Sequence, residues 1–218
     1  MEDNILRLPR LDALDDMTDL TPASDILRTS GACADIGLLN WPRSYPRKED
    51  TQLHAAWTPT GLYLLFDVCT HSTVAVHDKD QSMVSDDCCV EAFIQPVEGK
   101  EYFNIEANCI GAVSSSRRMD RQHSTRLTAD QLGMIEVYTS LPERETFAER
   151  PGECRWSVMM YVPWDLLEVT PEAGTVLRGN FYSCAGGAGT PYYQTLFPID
   201  SARPDFHRPE CFGKIILG

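Results

Sequence analysis

Tyr102, Asn104, Glu106 and Asn108 recur at every second position, with Phe103, Ile105, Ala107 and Cys109 between and after them. Strict alternation belongs to a strand, whose side chains point to opposite faces in turn. Same-face neighbours then lie roughly 6.5–7 Å apart, so the polar row spans about one to two sugar rings. A second stretch, Thr175 to Cys184, repeats the pattern with Leu177 and Phe181 to one side and Arg178, Asn180 and Tyr182 to the other. If both rows share one concave face, amides, a guanidinium, a carboxylate and flat rings converge. That mixture suits a sugar, whose hydroxyls need planar donors and acceptors and whose ring faces stack on aromatics. The plainer reading of either row is a solvated sheet face.

Glu91 joins this face if the hairpin register sets it opposite Asn104 or Glu106; the other register would turn it toward the core. Arg117 and His207 lie at the margin of the proposed floor, and His207 is equally suited to a hydrogen bond within the fold. Glu91 and Glu106 could form a catalytic pair, since retaining glycosidases hold two carboxyl groups roughly 5–5.5 Å apart and facing cross-strand residues reach that. Acceptors without chemistry are the stronger reading. The chain has no G-x-S-x-G elbow, P-loop or H-E-x-x-H pair. Gly186 to Gly189 lacks the Lys-Ser/Thr needed beside phosphate and reads as a flexible turn. Asp86 and Asp87, like Asp15 and Asp16, offer oxygen ligands to calcium, although solvated turn aspartates are the simpler account.

These residues need strands to carry them. Asp86 to Cys109 reads as a hairpin around Pro96 and Gly99. Leu53–Trp57 and Leu62–Cys69 are joined by a Thr58–Gly61 turn, with Leu62, Leu64, Phe66 and Val68 on a buried face. Gly111–Arg118, Met134–Thr139, Cys154–Val162, Thr175–Cys184, Tyr192–Ile199 and Gly213–Leu217 read as further strands. His71–Val84, Met119–Gly133 and Leu141–Gly152 read as connections, with helical turns at Ser24–Arg28 and Pro163–Leu167. Trp41 to Pro46 is too proline-rich for regular structure and packs Trp41 as a lid or plug. Many short strands without sustained helical period predict an all-β fold, a single antiparallel β-sandwich spanning residues 1–218, with 1–50 a partly irregular segment packed on it.

Composition narrows the partners. The chain has 218 residues, 43% of them hydrophobic, and a net charge of -13. So acidic a surface repels phosphate backbones and anionic lipid, whereas neutral ligands meet no such barrier. Runs such as LYLLF are too short to span a bilayer. The opening MEDNILRLPRLDALDD has neither a basic start nor an apolar core, so no secretory signal is visible and a cytoplasmic location is expected; an export signal trimmed ahead of this numbering would make the protein periplasmic or secreted. The eight cysteines include the adjacent Cys88 and Cys89 and form no C-x-x-C, so they read as reduced thiols serving as small hydrophobes.

Taken together, LNWP (Leu39–Pro42), SDDCCVEAFI (Ser85–Ile94), YFNIEANCIG (Tyr102–Gly111), GNFYSC (Gly179–Cys184) and PDFHRPECFGKIIL (Pro204–Leu217) resemble the carbohydrate-binding family 9-like domains, relatives of the family 9 carbohydrate-binding modules within the DOMON-like β-sandwiches. The resemblance covers essentially the whole chain. It implies one immunoglobulin-like, DOMON-like sandwich that binds a saccharide without hydrolysing it, in the setting of polysaccharide and oligosaccharide catabolism, in some relatives with a structural calcium and no other cofactor. Hydrolase activity on glycosyl bonds would be inherited from multidomain neighbours. The family grips sugar between two tryptophans; the nearest positions here are Ser85 and Leu196, with Trp41, Tyr192 or Tyr193 as substitutes. Some DOMON-like members carry haem, for which Met83 or Met119 with His207 would be the ligands.

Overall fold

The structure, a computed structural model, describes residues 4–17 and 20–218. Met1 to Asp3, at the head of the stretch read for an export signal, lie outside the described residues. In chain order the strands are β1 (Ile5–Leu8), β2 (Ala32–Asp35), β3 (Asp50–Trp57), β4 (Gly61–Ala75), β5 (Cys89–Gln95), β6 (Tyr102–Asn108), β7 (Val113–Arg118), β8 (Ser124–Arg126), β9 (Glu136–Thr139), β10 (Phe147–Pro163), β11 (Val176–Ala185), β12 (Tyr192–Thr195) and β13 (Gly213–Leu217). The helices are α1 (Leu20–Ser30), α2 (Ala129–Leu132) and α3 (Trp164–Leu167).

Two sheets form the sandwich. One runs β1-β13-β11-β5-β6-β7-β8, with β12 also paired to β11; the other runs β2-β3-β4-β10-β9. The strands pair antiparallel as expected of the sandwich, except that β1 joins β13 in parallel at the sheet edge. Between the sheets, Leu64, Phe66 and Val68 of β4 and Val158 and Met160 of β10 meet Ala92, Ile94, Phe103, Ile105 and Phe181 from the opposite layer. Each of these side chains except Ala92 contributes about 1.5–3 kcal/mol on burial.

Both outer faces are partly covered as well. Ala23 and Leu27 of α1 pack on Tyr63, Leu65 and Met159, so the first half of β4, residues 62–66, is apolar on both sides and reads as a continuous hydrophobic run. On the other layer, Ile199, Phe206 and Phe212 from the segment 196–212 pack on Phe93, Tyr102 and Tyr182. Trp41 joins that cluster and donates its indole N–H to the Ser201 carbonyl at 2.8 Å, which makes it a plug, not a lid.

Several connections carry more structure than their composition suggests. β4 extends to Ala75, β10 begins at Phe147, and Met119–Gly133 holds both β8 and α2. β10 accommodates Pro151 beside register shifts at Phe147/Arg150 and Pro151/Cys154, because proline has no N–H to give a ladder. α2 starts on a reciprocal capping box between Thr128 and Gln131.

Candidate functional site

β5 lies between β11 and β6, and its register builds the site. Glu91 is opposite Tyr182 on one side and Glu106 on the other; Phe93 is opposite Asn180 and Asn104. The two polar rows therefore do share a face, the outer one. Most of that face is nevertheless occupied by the chain's own segment 196–212.

Five residues read as ligand contacts are spent on the fold. Asn180 is fully buried: its amide nitrogen donates to the Phe197 carbonyl at 3.0 Å, and its oxygen accepts from the backbone N–H groups of Phe181 and Phe197, each at 2.9 Å. Tyr182 donates to the Phe206 carbonyl and stacks on the Phe206 ring, centroids 4.2 Å apart. Tyr102 is buried with its hydroxyl 3.0 Å from His207 Nδ1. Asn108 donates to the His77 carbonyl and to Asp87, and accepts from Ala112 N–H, which ties the β6–β7 turn. Arg178 is held by Glu98 and the Phe212 carbonyl. Buried polar groups need such partners, and a segment folded over the strands supplies them from within.

Arg117 is the wrong member of its pair. Ser116 of β7 faces Asn104, so even positions continue the polar row and Arg117 turns to the opposite face, against Phe103 and Glu168. Arg118 takes the place expected of it. Its Nε donates to Asn104 Oδ1 at 2.8 Å, and Asn104 Nδ2 donates to Glu106 Oε1 at 2.7 Å. Extending the parity of Tyr102 and Asn104 through the β6–β7 turn would have found Arg118.

A pocket of about 250 Å³ remains open on this face. Glu91, Glu106 and Cys184 lie at its floor, Tyr193, Phe206 and His207 form walls, and Met83, Ser85, Asp86, Arg121 and Asp205 border it. The Gly186–Gly189 turn is more than a flexible link: Gly186 and Gly187 donate N–H to the carbonyls of Ser85 and Asp86, and a Cβ at Gly187 would stand 2.9 Å from that Asp86 oxygen. Of the aromatic substitutes considered, Tyr193 lines the pocket, whereas Trp41 and Tyr192 are buried in the fold. Ser85 lies on the border and Leu196 packs against the main core.

Burial dominates the electrostatics. It pushes the Glu91 carboxyl well above its usual range, with the Cys184 thiol and Glu106 adding to the effect. Glu106 is also raised by burial, against the opposing pull of Asn104 and Arg118. His207 is held down to about 3 by burial and by Arg118 and Arg121. Because the folded protein binds that proton less readily than the unfolded chain, stability from His207 is complete above about pH 6.5 and is lost as pH falls toward 3. His207→Gln should therefore flatten this acid slope, read as urea midpoints at pH 7 and pH 4.

Calcium does not fit Asp87. That buried carboxylate accepts from the N–H groups of Val76 and His77 and from Asn108 Nδ2 at 2.8–3.0 Å, leaving its oxygens engaged. Asp86 borders the pocket, and among the described residues it belongs to no cluster of three carboxylate, thiol or imidazole donors within ligating reach of one another. For haem, Met83 and His207 share the pocket but Met119 does not, and 250 Å³ is below the roughly 300–1,000 Å³ of ordinary ligand sites. Among the described residues, no helix is long and apolar enough to cross a membrane.

A two-layer sandwich with a small polar pocket on one sheet face suits a small-ligand-binding module. The sequence matches the model of carbohydrate-binding family 9 over residues 25–217, and the chain belongs to that family. A candidate carbohydrate-binding protein from Bacteroides uniformis ATCC 8492 superimposes with a TM-score of 0.90 at 27% identity, covering 100% of both chains. A family 9 module from Caldicellulosiruptor kristjanssonii, solved with glucose and with cellotriose, has the same fold: TM-score 0.57 and 16% identity in both structures, covering 98% of this chain and 95% or 93% of that one. No curated protein matches.

Proposed function

We propose that the chain is a non-catalytic saccharide-binding module that takes a sugar ring in the pocket over Glu91 and Glu106. The observation that carries this is the pairing of carboxyl acceptors, one fixed through Asn104 to Arg118, with the rings of Tyr193 and Phe206. Carboxyl groups bind hydroxyls in bidentate fashion, and rings cover the apolar face of a pyranose. The glucose and cellotriose complexes of the Caldicellulosiruptor kristjanssonii module support a saccharide as the ligand. With Ser85 and Leu196 in place of a tryptophan clamp, less ring surface is buried and affinity should be modest.

Hydrolysis is the weaker account of the same two carboxyls. Glu91 is only 3% exposed and accepts from the Cys184 thiol, so little of its carboxyl surface is free to attack a glycosidic carbon. The wild-type protein should be inert toward chromogenic glycosides.

Calorimetric titration against mono- and oligosaccharides tests the proposal. Saturable heat with at least one sugar is expected, and silence from every sugar at millimolar concentration would overturn it. Tyr193→Ala should weaken binding about tenfold, the loss of one ring contact worth roughly 1–1.5 kcal/mol.

A further inference from the structure

We propose that Cys89, Cys184 and Glu91 form a binding site for a thiophilic divalent cation, with Zn²⁺ as its natural occupant, at the floor of the pocket. The two Sγ atoms and a carboxylate oxygen all lie within 4.8 Å of one another. Register puts them there: Cys89 and Cys184 are direct cross-strand partners on β5 and β11, and Glu91 stands two residues along β5 on the same face. Cys184 Sγ is already 3.2 Å from Glu91 Oε1. Around tetrahedral zinc, with Zn–S near 2.3 Å and Zn–O near 2.1 Å, neighbouring donors are roughly 3.5–3.8 Å apart. Small side-chain rotations therefore close the set without moving either strand.

Neither thiol has a strong competing partner. Cys89 Sγ reaches the Val90 carbonyl at 3.6 Å, and Cys184 Sγ reaches the Ser85 carbonyl at 3.7 Å, in addition to the Glu91 contact. Thiolates select zinc and its soft neighbours, whereas calcium takes six to eight oxygens. Cys184 and Glu91 line the pocket, so a fourth ligand can reach the set from that side. A solvent molecule would complete it there. Two thiolates and a carboxylate bring three negative charges, of which the cation cancels two, and Arg118 is near enough to act on Glu91. The site shares Glu91 with the saccharide reading but does not depend on it.

The test is titration of the reduced full chain, after chelator treatment, with Zn²⁺ by calorimetry and with Cd²⁺ by ultraviolet absorption. One ion per chain and a thiolate-to-cadmium charge-transfer band are expected. Cys184→Ser should weaken binding by about a hundredfold, whereas Cys33→Ser and Cys211→Ser should leave it unchanged. Zinc-edge X-ray absorption on the wild-type protein needs no variant and should show two sulfurs in the first shell. No saturable binding at micromolar metal, undiminished binding in a folded Cys184→Ser variant, or a sulfur-free first shell would each overturn the assignment.

Discussion

Replacing Asp87 by alanine should lower the free energy of unfolding by about 4 kcal/mol, because it removes a buried anion on which several donors converge. Asp87 has no exposed surface, and its oxygens accept from Val76 N–H at 2.8 Å, His77 N–H at 3.0 Å and Asn108 Nδ2 at 2.8 Å. Without it those donors are orphaned in a space water enters poorly, at about 1–3 kcal/mol each before relaxation. The damage spreads, since Asn108 also accepts from Ala112 N–H and so holds the turn that sets the β6–β7 register. The expected result is a lower urea midpoint with an unchanged slope, and a smaller loss for Asp87→Asn, which keeps one acceptor. Added calcium should shift neither variant nor wild type. A calcium-dependent gain in melting temperature, abolished by Asp87→Ala, would show that the carboxylate is a ligand after all.

Glu106→Ala should weaken saccharide binding by about 10- to 100-fold, the 1.5–3 kcal/mol of a hydrogen bond to a charged group, with little change in stability. Glu106 lines the pocket, and Asn104, held in turn by Arg118, fixes its carboxylate. Asn104→Leu should show a smaller loss, since the carboxylate stays but is no longer oriented. Arg117→Ala is the control: its guanidinium faces Phe103, Glu101 and Glu168 on the other side of the sheet. Calorimetry on all three variants reads the contrast directly. Equal losses for Arg117→Ala and Glu106→Ala would mean that the sugar sits elsewhere.

The strands were legible because their chemistry is local. The alternation of Phe103, Ile105 and Ala107 against Asn104 and Glu106 reports which face meets the core, and all three apolar residues do lie in it. β1 and β2 escaped notice because each spans only four residues, too few for alternation to stand out from the surrounding sequence. β4 was traced only to Cys69 because its polar continuation, Thr70 to Thr73, is held by pairing with β10 instead of by its own composition.

The candidate site was legible only in part. That Glu91 would face Glu106 follows from the hydrophobic pattern of the two hairpin arms, since a slip of one residue would have turned every apolar side chain outward. That Asn180, Tyr182 and Tyr102 would be consumed as supports does not follow from it. An amide aimed off a strand looks the same in sequence whether a sugar or a backbone carbonyl will meet it.

Local alternation was enough to establish a sandwich, its hydrophobic faces and the strands that carry the polar rows, because those properties depend on neighbours two residues away. The identity of the surviving pocket depended on a contact between Phe206 and Tyr182, separated by 24 residues in the chain. The meeting of Cys89 with Cys184 depended likewise on a distant pairing, that of β5 with β11. Long-range packing of this kind depends on which surfaces are complementary once folded, and no short window of residue types encodes that.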